Sequence, residues 1–152
     1  MVIAIIGLLL TLIGMPAAYF AVLPRMSITM DTSSFPRNPL RNPLVVRNEG
    51  YVSFSSETMI YVEKLVAVNG NELRNAMIAP ARREIRDLKP ADSRSIDLAL
   101  TVAMPDDFLV SFDLTVVSQI KAEYWPWKFR VERSYEVVRG SDGAYRWIPR
   151  RV

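Results

Sequence analysis

The sequence predicts an all-β domain, a sandwich of two antiparallel sheets, preceded by one N-terminal transmembrane α-helix. Three observations predict this arrangement: an uncharged apolar stretch over residues 1–24, an alternation of apolar and polar residues with a period of two in the rest of the chain, and turn residues between the alternating runs. The 152 residues therefore divide into an anchor, residues 1–24, and one folded domain, residues 25–152.

The anchor prediction depends on length and charge, because the first charged side chain in the chain is Arg25. A hydrocarbon core of about 30 Å is crossed by about 20 apolar helical residues, which this stretch supplies. Pro16 predicts a kink, and Tyr19 and Phe20 lie near one end, where aromatic side chains favour the interface. A cleaved signal peptide is the alternative, but the segment lacks a basic start and exceeds the usual apolar length. A buried core helix is a second alternative, for which no amphipathic face is visible.

The predicted location is the cytoplasmic (inner) membrane, spanned once, and two arguments differ on the side that the β domain occupies. Arg25, Arg37 and Arg41 follow the helix, so the positive-inside rule favours the cytoplasm. Small β-sandwiches on a single N-terminal anchor are common outside the cytoplasmic membrane, which favours the extracytoplasmic side by analogy. We adopt the extracytoplasmic side as the hypothesis.

Short alternating runs indicate about seven strands, the number typical of a sandwich of immunoglobulin-like type. Each run has one apolar face, so two sheets must bury these faces against each other. Asn69-Gly70 predicts a hairpin turn, and the last strand is expected to end before Pro149. The runs are residues 27–30, 44–47, 51–54, 59–68, 95–102, 110–116, 129–137 and 144–148.

The region from Glu72 to Arg86 fits no single period. Residues 72–78 are compatible with a helical turn or with a connecting loop, and Pro80 bounds them. Residues 81–84 form a charged, solvated stretch, and residues 88–93 predict a turn into the next strand.

The composition excludes several kinds of chemistry. With no Cys and no His, the chain cannot form thiolate sites, ordinary zinc sites or a Ser-His-Asp triad. It also lacks a GxGxxG motif, a Walker loop and a nucleophile elbow. Asp106-Asp107 is the candidate carboxylate pair for acid–base work or Ca²⁺, but no ligand loop accompanies it. We therefore predict a protein that is not an enzyme, without catalytic residues, metal or cofactor.

A tandem tetrapeptide is the first candidate interaction segment. Arg37-Asn38-Pro39-Leu40 is followed directly by Arg41-Asn42-Pro43-Leu44. Pro favours extended backbone and outward Arg side chains suit recognition, so the repeat could be read by a partner. The alternative, which we favour, is a proline-protected edge segment that leads into the first core strand.

Tryptophan residues form the second candidate surface. Tyr124-Trp125-Pro126-Trp127-Lys128 is the most aromatic part of the chain, and Trp147 lies in the last predicted strand. Trp stacks against glycans and bases and partitions to bilayer interfaces. Eight basic and four acidic residues give residues 121–152 a net charge of +4, which beside an anchor favours anionic head groups over nucleic acid. Packing in the core or at the rim is the default role of such residues.

Five segments follow the apolar stretch in a fixed order: residues 24–28, 38–40, 42–51, 125–127 and 142–149. Their most distinctive parts are the two Asn-Pro-Leu triplets, Asn48-Glu49-Gly50, Trp125-Pro126-Trp127 and Trp147-Ile148-Pro149. This order resembles a group of uncharacterised bacterial single-pass membrane proteins with a small immunoglobulin-like β domain. The resemblance implies the anchor and the fold, and it implies no activity.

We therefore predict a membrane-anchored, non-catalytic interaction module that contacts a protein partner through a sheet edge or through residues 37–44. Two alternatives stay open: a domain that binds glycan, envelope polymer or anionic lipid on a Trp platform, and a small accessory subunit of a membrane complex that packs through Gly7 and Gly14. No small-molecule cofactor is expected. The candidate contact residues are Arg37, Arg41, Trp125, Trp127 and Trp147.

Overall fold

Nine β-strands dominate the part of the chain that the computed structural model describes, which is residues 14, 22–31, 34–77, 82–98 and 109–150. A single 3₁₀ turn, Pro39–Arg41, lies between the first two strands. The strands are β1 (Met26–Met30), β2 (Leu44–Asn48), β3 (Phe54–Ala67), β4 (Glu72–Met77), β5 (Arg83–Leu88), β6 (Ser93–Ile96), β7 (Leu109–Ala122), β8 (Phe129–Arg139) and β9 (Tyr145–Arg150).

The strands form two antiparallel sheets. Sheet one has the order β1-β2-β6, and sheet two has the order β4-β3-β7-β8-β9. Strand β5 also pairs with β3, so β4 and β5 follow each other along the same side of that long strand. The predicted all-β class with two antiparallel sheets is therefore confirmed.

The core lies between the two sheets. Leu44 and Val46 of sheet one are fully buried, as are Leu114 and Val116 of sheet two, and all four belong to one apolar cluster. Each such side chain stabilises the fold by about 1.5–3 kcal/mol on burial. Strand β3 alternates buried and partly exposed residues over most of its length, as one wet face requires.

A buried tyrosine connects the two sheets. The Tyr135 hydroxyl of β8 donates a hydrogen bond to the carbonyl oxygen of Ile28 in β1. Burial raises the pKa of this phenol above its ordinary value, so it remains a donor throughout the physiological range.

The hairpin predicted at Asn69-Gly70 is confirmed and joins β3 to β4. Gly70 has a φ of +81°, and its N–H donates to the carbonyl oxygen of Ala67 at 2.9 Å. A three-residue loop that ends on a left-handed glycine is one of the common hairpin geometries.

The region from residue 72 to 86, for which the sequence leaves a helical turn or a loop, is instead largely extended as β4 and the start of β5. Strand β3 is long, and β7 pairs along only one side of it, so its other side is available for this region. Residues 78–81 lie outside the described residues. Asn75 and Asp87 adopt left-handed backbone, with φ of 51° and 47°, which Asn and Asp tolerate better than other side chains.

Three strand predictions need corrected bounds. Residues 51–54 and 59–68 do not form two strands, because one continuous strand, β3, begins at Phe54. The strand predicted over residues 95–102 is β6, which ends at Ile96, and residues 99–102 lie outside the described ranges. Strand β9 continues through Pro149, which is tolerated because β9 is an edge strand and one of its sides needs no N–H.

The predicted anchor, residues 1–24, falls almost entirely outside the described residues. Within the part of the chain that the structure describes, no helix has the length and apolar character of a membrane span.

Candidate interaction surfaces

The proximal end of the sandwich, which we define by residues 22–25, 48–52 and 123–128, is where the N-terminal segment enters β1. The N–H of Glu49 donates to the carbonyl oxygen of Arg25 at 2.9 Å. Gly50 packs so closely here that a Cβ atom would lie 2.9 Å from the Arg25 nitrogen and 3.2 Å from the Leu23 oxygen. This turn therefore holds the entering chain by direct backbone contact.

Asn48 organises the proximal end from within, and it is completely buried. Its side-chain N–H groups donate to the carbonyl oxygens of Val52 and Leu88, each at 2.9 Å, and its Oδ1 atom accepts from the Gly50 N–H at 2.9 Å. One asparagine thus ties the β2–β3 loop to the end of β5. The sequence indicated only a turn at this position, because the pairing of Asn48 with Leu88 joins residues that are distant in the chain.

The Trp-rich segment lies at the same end and contacts the N-terminal segment. The Trp125 indole N–H donates to the carbonyl oxygen of Val22 at 3.3 Å, and the Trp125 and Trp127 ring centroids are 5.2 Å apart. An apolar hollow of about 340 Å³ forms beside them, lined by Val22, Val52, Ala122, Tyr124 and Trp125.

Large aromatic side chains are unusually exposed around this hollow. Tyr124 is 84% exposed, Tyr51 is 76% exposed and Trp127 is 50% exposed. The sequence pattern indicates Trp125 and Trp127 but not Tyr51, which the turn after Asn48-Glu49-Gly50 places at the same end of the sandwich.

Trp147 does not join this surface. It is only 6% exposed, and its ring packs edge-on against Phe112 at 5.4 Å and Tyr135 at 6.4 Å. Trp147 pairs with Val137 of β8. Val137 lies eight residues after Phe129, where β8 leaves the Trp-rich turn, so Trp147 lies roughly 27 Å from that turn at about 3.4 Å per residue. A surface platform of all three Trp residues is therefore not formed, because Trp147 packs in the core.

The distal end, which we define by residues 34–43 and 140–144, carries the other candidate residues. Arg37 and Arg41 are exposed, and the Arg41 guanidinium lies over the Phe35 ring at 5.6 Å from its centroid. The repeat forms a 3₁₀ turn rather than an extended peptide, with Pro39 and Leu40 buried. The structure thus brings Arg37 and Arg41 together and places them at the opposite end from Trp125 and Trp127.

Asn42 is the distal counterpart of Asn48 and is also completely buried. Its Oδ1 atom accepts from the Phe35 N–H at 2.8 Å, and its Nδ2 group donates to the Phe35 carbonyl oxygen at 3.4 Å. The second copy of the repeat is therefore used to close a loop, which agrees with a packing role for that half of the segment.

The open sides of edge strands are a further kind of interaction surface, and most of them are obstructed. On β9, Pro149 has no N–H and the Tyr145 N–H already donates to the Pro36 carbonyl oxygen at 2.7 Å. On β1, the Ile28 carbonyl oxygen is taken by Tyr135. Strands β4 and β5 each contain a left-handed residue, Asn75 or Asp87, which interrupts a regular ladder.

Strand β6 differs from the other edges. The Asn48 N–H of β2 donates to the Asp92 carbonyl oxygen at 3.0 Å. In an antiparallel pair, every second residue bonds to the neighbouring strand. Arg94 therefore bonds to β2, whereas the backbone N–H and C=O groups of Ser93 and Ser95 point away from β2. Among the described residues, no strand pairs with this outward side of β6.

The side chains of β6 leave its outward side accessible. Residues 93–95 are all exposed, and the strand contains neither Pro nor a left-handed residue. On the adjacent strand β5 of sheet two, the buried Nη2 atom of Arg83 has no hydrogen-bond partner among the described residues. The sequence analysis did not single out this edge, because its exposure depends on the order of strands in sheet one.

The outer face of sheet two carries a polar cluster. Thr115 donates to Glu63, its oxygen lies 2.7 Å from the Ser134 oxygen, and Arg150 lies 3.4 Å from an Asp113 oxygen. Burial raises the pKa of Asp113, and the charge of Arg150 opposes that rise.

Within the described ranges, no group of three or more acidic side chains is arranged to hold a metal ion, and Asp106-Asp107 lies outside those ranges.

No protein-family model, no curated protein and no solved structure matches this chain.

Proposed function

We propose that the protein is a membrane-anchored, non-catalytic β-sandwich that binds an extended segment of a partner protein along β6. The fold would be of immunoglobulin-like type, which is supported by the strand order: β1-β2-β6 corresponds to the A-B-E side and β3-β7-β8 to the C-F-G side. Strand β9 is then an additional edge strand. The apolar segment of residues 1–24 provides the anchor, and the sandwich lies on the extracytoplasmic side.

The observation that carries the proposal is the contrast between β6 and the other edges. Strand addition requires a row of outward N–H and C=O groups, which Ser93 and Ser95 provide. Proteins usually obstruct exposed edges with proline, distortions or covering loops, and β1, β4, β5 and β9 each have such an obstruction. Among the described residues, β6 carries none of these three obstructions, which suits its outward side to a strand from outside.

Site-specific photocrosslinking in native membranes tests the proposed mode of binding. A photoreactive side chain in place of Arg94 on the full-length chain should give a cross-linked adduct, since that side chain projects beside the open edge. The same group in place of Ile148 on β9 is the matched control and should give none, because Pro149 obstructs that edge.

Two substitutions at Ser95 separate strand pairing from side-chain contact. Ser95→Pro removes an N–H that no bond within sheet one uses, so it should abolish the adduct at position 94 and leave the thermal unfolding midpoint nearly unchanged. Ser95→Ala keeps the N–H and should preserve the adduct. An adduct that survives Ser95→Pro, or the absence of any adduct, would contradict strand addition at β6.

The proposed side of the membrane is tested separately. A reporter fused after Val152 that is active only outside the cytoplasm should be active. Activity of a cytoplasmic reporter at the same position would place the domain where the positive-inside rule favours it.

A further inference from the structure

We propose that the proximal end of the sandwich lies in the interfacial layer of the bilayer, with Tyr51, Tyr124 and Trp127 among the lipid head groups. The inference rests on the proposed anchor and adds a second, peripheral contact between this chain and lipid. The occupant of the aromatic patch is therefore the bilayer surface itself.

The first argument is the length of the connection. Val22 belongs to the apolar segment and Met26 begins β1, so their Cα atoms are at most about 14 Å apart at about 3.5 Å per residue. The Trp125 indole and the Gly50 turn both contact this connection directly. A sandwich joined so closely to a membrane span must keep its proximal end within the interfacial region.

The second argument is the chemistry of the exposed side chains. Trp and Tyr concentrate at membrane interfaces, because each has an apolar ring that favours the acyl boundary and a polar group that favours water. Three of these residues are at least half exposed at the proximal end, and one of them, Tyr124, lines a hollow together with Val22. An exposed apolar patch of this kind marks an interaction surface, and its continuity with the apolar segment identifies that surface as lipid.

The third argument is the charge beside the patch. Arg25, Lys121 and Lys128 are exposed on or next to the proximal end, and the acidic residues exposed there are Glu49, whose carboxylate lies 3.6 Å from the Arg47 guanidinium, and Glu123. A juxtamembrane basic side chain contributes about 1 kcal/mol of attraction to an anionic surface. The patch is therefore suited to anionic head groups.

Depth-dependent fluorescence quenching tests the inference on the full-length chain reconstituted into vesicles of phosphatidylcholine and phosphatidylglycerol. The lipids carry bromine either near the head group or near the end of the acyl chain. A variant that keeps only Trp127 (Trp125→Phe with Trp147→Phe) should lose most of its emission to shallow bromine and little to deep bromine. A variant that keeps only Trp147 should lose almost none, because that ring is buried in the core far from the proximal end.

The outcomes separate this inference from the anchor on which it rests. Vesicle flotation shows whether the chain is in the membrane, so a chain that does not float would overturn both proposals. A chain that floats while Trp127 remains unquenched would overturn only the interfacial contact. Where a double variant does not fold, the wild-type chain replaces it. Shallow bromine should then quench the part of the wild-type emission that comes from the proximal end and leave the emission of Trp147.

Discussion

The two ends of the sandwich are built by the same device but present different surfaces. Each end is closed by a completely buried asparagine: Asn48 at the proximal end bonds to the β2–β3 loop and to Leu88 of β5, and Asn42 at the distal end bonds to Phe35 of its own loop. The proximal end exposes three aromatic rings, whereas the distal end exposes Arg37, Arg41 and a single ring, Phe35, beneath Arg41. The comparison indicates that the residue that closes an end does not fix the surface chemistry of that end. The exposed side chains therefore set what each end can contact.

The largest expected effect separates the two kinds of tryptophan. Trp147→Ala should lower the free energy of unfolding by about 3–5 kcal/mol, because it leaves a cavity between Phe112 and Tyr135. Trp127→Ala should cost less than about 1 kcal/mol, since that ring is half exposed. Urea unfolding of the full-length chain in detergent, followed by circular dichroism, measures both. Similar losses would mean that Trp127 is a packing residue and that the proximal end is not a free surface.

The next effect compares the two asparagines. Asn48→Ala should cost about 3 kcal/mol, because it leaves three backbone groups without their partner, two in the β2–β3 loop and one at the Leu88 carbonyl of β5. Asn42→Ala should cost about 1–2 kcal/mol, since both of its bonds go to Phe35 and one is long. The same unfolding experiment applies, with exposed Asn71→Ala as the control. A greater loss at Asn42 would reverse the assignment of the more tightly closed end.

A smaller effect compares two glycines. Gly50→Ala should cost about 1–3 kcal/mol, because the new methyl group would meet the backbone of residues 23 and 25. Gly140→Ala should cost less, since its closest neighbour is the exposed Asp142 carboxylate, which can exchange its bonds to the Ala144 N–H and Arg146 for bonds to water. Thermal unfolding midpoints of the two variants measure the difference. Equal midpoints would show that the entering chain is not held at Gly50.

The smallest effect concerns the outer face of sheet two, which connects the ends. The pKa of Asp113 is higher in the folded state than in the unfolded state, so ionisation of Asp113 lowers the stability of the fold. This loss of stability shrinks as the pH falls through the folded-state pKa towards the unfolded-state pKa. Asp113→Asn should therefore be slightly more stable than the wild type at neutral pH, by less than about 1 kcal/mol, and the two should converge below about pH 3.5. Thermal unfolding at both pH values tests this. A variant that is less stable at neutral pH would show that the pairing with Arg150 outweighs burial.

Local patterns predicted much of the fold but not its surfaces. The alternation over residues 110–116 and 129–137 gives β7 and β8, and Asn69-Gly70 gives the hairpin after β3, because these features depend on neighbours in sequence. Strands β4 and β5 were not predicted, since they are extended only because β3 offers a side to pair with. The open edge of β6 and the position of Tyr51 likewise depend on contacts between residues that are distant in the chain.

Trp147 illustrates the same limit at a single residue. Its sequence neighbours are Arg146, which is charged, and Ile148, which is apolar, so they assign Trp147 to neither face of the strand. Only the register that pairs it with Val137 and places it against Phe112 assigns it to the core.

Extraction of native membranes with alkaline carbonate tests the central claim, which is that lipid permanently surrounds the apolar segment. The full-length chain should remain in the membrane pellet, and its intact mass should include residues 1–24. Release into the supernatant, or a mature chain that lacks this segment, would contradict the anchor and, with it, the interfacial position of the aromatic end.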